Sequence, residues 1–255
     1  GDYTTDSITF DGGLTATAPS GISTAATIAT TNNAMDIGDI GGAPTTVTLN
    51  GDTVLQAGSG TVTTGAVTDA GNSYDLRLMD NTVASTGSVV FEGAVTVSTV
   101  TTFGQGYDVT FNSGGTIDTD TTFNNTGTVT LGDADTDTIT FTAGVDTTAA
   151  TTSMAGTVQT TNTQMDIGAA SVSADAFLYA GSSTINVGAF TLADDTTPGD
   201  ATLTLGDGSA TTINGTSVTG TGGGNASNLE VNSTGAVTFT GSIGTDIGTV
   251  EVSEF

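Results

Sequence analysis

The feature that most constrains this chain is a repeat with a period near twenty residues. Gly87–Gly106 reads GSVVFEGAVTVSTVTTFGQG and Tyr107–Thr126 reads YDVTFNSGGTIDTDTTFNNT. Aligned, Val89 sits over Val109, Phe91 over Phe111, Val97 over Ile117 and Phe103 over Phe123, with Thr101 and Thr102 over Thr121 and Thr122. The next stretch, GTVTLGDADTDTITF, brings Val129 and Leu131 under the first pair and then slips by a residue or two. Each unit holds about three strand-like pieces separated by Gly, Asn or Asp.

A lone unit of this length cannot bury its Val and Phe. Stacking like on like can, because each coil then pairs its backbone with the coils above and below at ~4.8 Å. The inward row becomes a ladder of Val, Ile and Phe, the outward row one of Thr, Ser and Asp. The predicted fold is all-β: a single elongated parallel β-solenoid of about a dozen ~20-residue coils, a rod on the order of 60 Å long. Composition agrees. Of 255 residues, 59 are Thr and 37 Gly, so β-formers and turn-formers dominate and helix-formers are scarce. A hydrophobic content of 35% would suit disorder if it were scattered. It instead alternates with polar residues in short runs such as Val47–Leu49, Val89–Phe91, Val129–Leu131, Leu203–Leu205 and Val237–Phe239. No helix is predicted, and the longest apolar run is far too short for a membrane span.

A longer repeat overlies the coils. SITFDGG at Ser7–Gly13 returns as TITFTAG at Thr138–Gly144, and TNNAMDIG at Thr31–Gly38 returns as TNTQMDIG at Thr161–Gly168. STGSVVFEG at Ser85–Gly93 returns as STGAVTFTG at Ser233–Gly241, at an offset larger by roughly one coil. This reads as a duplicated half-rod that gained one coil, with halves near 1–137 and 138–255 inside one domain, 1–255. The segments TGSVVFEGAVTV, GTVTLGDADTDTITFTAG and STGAVTFTGSIG resemble the degenerate repeats of filamentous haemagglutinin-like bacterial surface proteins. The resemblance implies a right-handed β-helix, secretion, and adhesive or scaffolding roles.

Charge excludes much chemistry. Against 27 Asp and Glu stands one cation, Arg77, for a net charge of −26, and the chain has no His, Cys or Trp. It thus lacks an imidazole base, a thiolate nucleophile, a Schiff-base or P-loop lysine and the usual zinc ligands, and no enzyme is predicted. A negative rod does not bind nucleic acid or an anionic membrane by neutralising phosphate. Glycan cleavage by paired Asp is disfavoured because cations and Trp to hold an acidic polymer are missing. Arg77, between Asp75 and Asp80, reads as an exposed local ion pair. The sequons at Asn124, Asn214, Asn225 and Asn232 matter only in a suitable secretory host.

Three features remain as site candidates. Asp118 with Asp120, and Asp133 with Asp135 and Asp137, alternate along the sequence, which on a strand puts their carboxylates on one face. Stacked coils would bring such carboxylates within ~5 Å of each other, where a calcium ion offsets the repulsion. No other cofactor is implied, and the alternative is a solvated acidic face. Asp36 and Asp166 read as turn residues. Outward Thr, as at Thr128 with Thr130 or Thr138 with Thr140, raises ice binding. Yet Asp108 and Thr110, then Ser88 and Val90, stand twenty and forty residues above that first pair, so the array breaks.

The third candidate is the ends. An open solenoid exposes unpaired strand edges, usually blocked by a helix, Pro or Lys. YTTDSITF at Tyr3–Phe10 and TVEVSEF at Thr249–Phe255 instead alternate like strands. The expected assembly interface is Tyr3, Ile8 and Phe10 with Val250, Val252 and Phe255. The expected partner is a second copy, head to tail, with divalent cations offsetting the charge of Asp2, Asp6, Glu251 and Glu254. The chain opens on Gly1 rather than Met, which reads as a processed, secreted product. The predicted function is an extracellular structural protein at the cell surface, a subunit of a self-assembling filament, sheath or matrix. The alternative is a segment of a large adhesin or surface-layer protein, and ice binding is the minor reading.

Overall fold

The computed structural model describes residues 6–16, 21–38, 45–80, 84–193, 201–222 and 225–253. Among them every regular element is a strand and every strand pairing is parallel. No described helix is long and apolar enough to cross a membrane. The chain winds as a β-solenoid with three strand positions per coil, which we term faces A, B and C. Face A begins with Ser7–Phe10, face B with Leu14–Ala16 and face C with Ile22–Thr24. On face A, Ser7–Phe10 pairs with Thr27–Thr30, which pairs with Thr53–Gln56, then Asp75–Leu78 and Thr99–Thr101. After Thr121–Thr122 the face continues through Val145–Asp146 and Met165–Ile167 to Val237–Phe239. In the second half the corner between faces flattens, so Thr151–Thr160, Ala170–Tyr179, Thr184–Leu192 and Thr212–Gly220 each run unbroken across two faces.

Ile8 and Val237, inward residues of the first and last face A strands, are 229 positions apart over ten steps, about 23 residues per coil. The rod therefore has about ten turns, closed by an eleventh rung, where the period predicted a dozen coils of ~20. The cause is unequal corners. Val109 pairs with Val129, twenty residues on, but Gly115 pairs with Ile139, twenty-four on, because the surplus residues of 132–137 leave the stack as a loop. Between them the strands stay in register.

The alternation predicted for Val89, Phe91, Val97 and their partners is observed, with Val89 on Val109, Phe91 on Phe111 and Val97 on Ile117. All six are buried. Phe91 and Phe111 stack at 5.0 Å between ring centroids, Phe123 meets Phe111 edge-on at 6.1 Å, and Phe141 meets Phe123 edge-on at 6.0 Å. These aromatic contacts add to the area term that holds a narrow core together. Phe103 departs from the prediction. Phe123 is buried, but Phe103 is half-buried and lies under the Arg77 guanidinium, 4.9 Å from its carbon to the ring centroid. Thr hydroxyls bridge the rungs here: Thr102 Oγ1 accepts the Asn124 N–H at 2.7 Å, and Thr119 Oγ1 donates to Thr99 Oγ1 at 3.1 Å.

Tyr107 closes this region from inside. Its side chain is buried, its hydroxyl donates to the Leu78 carbonyl at 2.9 Å, and it accepts the Phe103 N–H at 2.9 Å. Burial pushes its pKa from 10.0 up to about 12. A raised phenol pKa means that the folded state holds the proton more tightly than the unfolded chain. The stabilisation is complete below pH 10 and is lost as pH rises through about 12. Alkaline titration of the melting temperature should show this fall, and Tyr107→Phe should flatten it while costing about 1–3 kcal/mol at neutral pH through the orphaned Leu78 carbonyl and Phe103 N–H. An equal alkaline fall in the variant would assign the effect elsewhere.

The long repeat acquires a geometric meaning. Ser7–Phe10 lies on face A of the first coil and its copy Thr138–Phe141 on face C of the sixth, five and two-thirds turns later. Met35–Ile37 lies on face B of the second coil and its copy Met165–Ile167 on face A of the eighth, again five and two-thirds turns. Ser88–Phe91 and its copy Val237–Phe239 are six and two-thirds turns apart, from face B of the fourth coil to face A of the eleventh. The two copies thus differ by one whole coil, as the growing offset implied, and every repeated segment is rotated by a third of a turn. The three faces accept the same strand-and-turn unit because each is the same kind of parallel ladder.

Candidate functional site

Five large hydrophobic side chains are notably exposed among the described residues: Ile8 at 52%, Val237 and Ile243 at 37%, Val250 at 49% and Val252 at 57%. All five belong to the first or last coil. All five also stand on columns that point inward elsewhere. Val250 and Val252 pair with the buried Leu229 and Val231, Val237 with the buried Ile213, and Ile243 bridges to the buried Val218. Ile8 pairs with Ile28, which packs on the core. They are core residues with no further rung beyond them among the described residues. The strands that carry them are also paired on one side only among the described residues. Among the described residues each end therefore presents an apolar disc edged by strands with no ladder partner on their outer side, the combination that templates strand addition. Of the predicted interface, Ile8, Phe10, Val250 and Val252 sit on these discs, Phe10 half-buried. Tyr3 and Phe255 lie outside the described residues, as do Asp2 and Glu254.

The acidic stretches are placed differently from the strand-face expectation. Asp118 and Asp120 occupy the turn between Gly115–Ile117 and Thr121–Thr122, at the corner from face C to face A. Asp133, Asp135 and Asp137 occupy the loop at the corner from face B to face C. The two groups are on different corners, and among the described residues no three acidic side chains converge. The carboxylates serve the backbone instead. Asp137 Oδ2 accepts the N–H groups of Asp133 at 3.0 Å and Ala134 at 2.9 Å, and Asp135 Oδ1 accepts the Asp175 N–H at 3.1 Å. Burial, then the neighbouring Asp137 and Glu92 carboxylates, raises the Asp133 pKa.

Corner bracing of this kind recurs. Asp52 accepts the Asp75 N–H at 2.9 Å, Asp69 the Ser98 N–H at 2.9 Å, Asp108 the Thr128 N–H at 2.6 Å and Asp175 the Thr202 N–H at 2.8 Å. Asn32 and Asn162, equivalent in the long repeat, do the same for Ser59 at 3.0 Å and Ser182 at 3.1 Å. Where the chain turns a corner the ladder stops and its N–H groups lose their partners. A short carboxylate or carboxamide from the neighbouring coil supplies one. From the sequence, Asp118, Asp120, Asp133, Asp135 and Asp137 read as calcium ligands or a solvated acidic face. The available signal was an Asp or Asn recurring beside the breaks between strands. Arg77 is likewise less exposed than predicted: its Nη1 pairs with Asp75 Oδ2 at 3.1 Å with side chains 21% and 22% exposed.

The outward Thr residues divide by face. On face B, Thr130 stands beside Thr110 and Thr110 beside Val90, the interruption read from sequence. On face C the column Ser23, Thr48, Thr68, Thr96, Thr116, Thr140 is unbroken over six coils and ends at Gln159 and Tyr179. A shallow groove of about 350 Å³ runs near the corner of faces A and B, lined by Asp166, Asn186 and Asn214. Its amides are joined to each other, Asn214 to Asn186 at 2.8 Å and Asn186 to Asp166 at 2.6 Å.

Comparison with protein-family models, with curated proteins and with solved structures gives no match.

Proposed function

We propose that the chain is an extracellular structural protein whose rods join end to end into a filament, sheath or matrix at the cell surface. The observation that carries this reading is that, among the described residues, the exposed large hydrophobic side chains are confined to the two end coils, on columns that point inward in the coils between. A rod stabilised only by its column leaves both terminal rungs half-solvated. Stacking another rod removes that apolar area from water and pairs the free edges. The contact joins two different surfaces, so it propagates rather than closing. Life outside the cell is supported by the state of Arg77, the one site for cleavage after a basic residue, which lies within a strand, half-buried and stacked on Phe103.

Negative-stain microscopy of the purified chain, with and without calcium, tests the reading. Long unbranched fibres are expected. Single rods of about 50 Å in every condition, from eleven rungs at ~4.8 Å, would overturn it and point to flanking coils as the cover of a longer surface protein.

A second reading, ice binding, is favoured by the unbroken hydroxyl column from Ser23 to Thr140 on face C. Its measure is a gap between freezing and melting points in a solution of single rods, which Thr96→Lys with Thr116→Lys should abolish. A solution showing no such gap ends this reading.

A further inference from the structure

Building on the end-to-end reading, we infer that the joint is one whole coil stacked in phase, so that the last rung of one copy continues all three faces of the next without rotation. A solenoid is a ramp, and each cut end carries a step one strand high where the ramp begins or stops. The first described strand, Ser7–Phe10, opens on face A, and the last, Ile247–Ser253, finishes on face C. Face A follows face C in every turn of the rod. The two steps therefore stand at the same corner, and the described residues make eleven complete rungs.

In phase, the lower step of one copy fills the upper step of the other. Rotated by a third or two-thirds of a turn, the steps miss each other and leave a gap one strand thick, ~4.8 Å, with edges unpaired on both sides. The three faces are otherwise interchangeable, as the one-third rotation between the repeated segments demonstrates. The step is thus what selects the phase.

The side chains agree with this register. Val237 and Phe239 of one copy meet Ile8 and Phe10 of the next on face A, Ile243 meets Leu14 on face B, and Val252 meets Ile22 on face C, where the column from Ile22 through Val47, Val95, Ile139 and Leu205 ends at Val252. Each of these pairs extends a column that points inward one rung deeper. On the outside Thr238 stands beside Thr9, and Ser253, the end of the Ser23 column, beside Ser23. Among the described residues no two carboxylates face each other across the strands of the joint.

Engineered cysteines test the phase directly, because the chain has none of its own. Thr9, Thr15 and Ser23 are exposed, outward residues on faces A, B and C of the first rung, and Thr238 is exposed and outward on face A of the last. Neighbouring parallel strands place such positions within disulfide reach. Thr9→Cys with Thr238→Cys is expected to give a ladder of oxidised multimers on a non-reducing gel, collapsed by reductant. Thr15→Cys or Ser23→Cys with Thr238→Cys should stay single. The fibre should also repeat axially at about 53 Å, eleven spacings of ~4.8 Å. Cross-linking through Thr15→Cys or Ser23→Cys instead, or fibres with no cross-link in any pair, overturns the in-phase joint and leaves the filament standing. Single rods in microscopy together with no cross-link overturn the end-to-end reading itself.

Discussion

Phe111→Asp is expected to destroy cooperative folding at ambient temperature. Phe111 is fully buried, stacked on Phe91 and edge-on to Phe123, so truncation alone costs about 3–5 kcal/mol. An unpaired carboxylate in that column adds several kcal/mol more, against a total stability on the order of 5–15 kcal/mol for a folded domain. The neighbouring control is Thr110→Asp, one residue earlier and on the outer side of the same strand, expected to stay within about 0.5 kcal/mol of the parent. Urea unfolding followed by circular dichroism measures both. Equal losses at the two positions would contradict the in-and-out alternation on which the column rests.

The second large effect concerns assembly. Val250→Lys with Val252→Lys puts two charges on the C-terminal disc, where no described rung covers them. The rods should fold and melt like the parent, yet form no fibres, because stacking a further rod would bury unpaired ammonium groups. Ile8→Lys should do the same from the other end. Mixing the two variants then gives a sharper outcome. Each retains one competent end of opposite kind, so the mixture should yield dimers of rods and nothing longer. Sedimentation velocity reads this directly. Fibres from either variant alone would remove these coils from the joint, and deletion of residues 250–255 offers an independent check with the same expected loss.

Much of the fold was legible because a parallel stack demands the same residue type at the same place in successive coils. Val89, Val109 and Val129 carry that demand openly, twenty residues apart each time. Legibility failed wherever a corner changed length. The face C column Thr48, Thr68, Thr96, Thr116, Thr140 is as regular in space as the Val column, but its steps run 20, 28, 20 and 24 residues. A fixed period therefore passes it by. The acids of 133–137 failed for a related reason. Their alternation imitates a strand, while their position in a surplus loop turns them toward backbone N–H groups.

Sequence alone determined that this chain buries its few apolar residues by repetition: alternating Val, Ile and Phe at coil spacing cannot be covered within one unit, so units must stack. It also determined that the rod is strongly acidic, with Arg77 as its one basic side chain. Only the tertiary structure decided that a coil has three equivalent faces, that the repeated segments are turned by a third, that aspartates brace the corners, and that Val250 and Val252 are uncovered core. The physical reason is that backbone ladders tolerate variable corners. Pairing between strands depends on the total length of each turn, which no local pattern encodes.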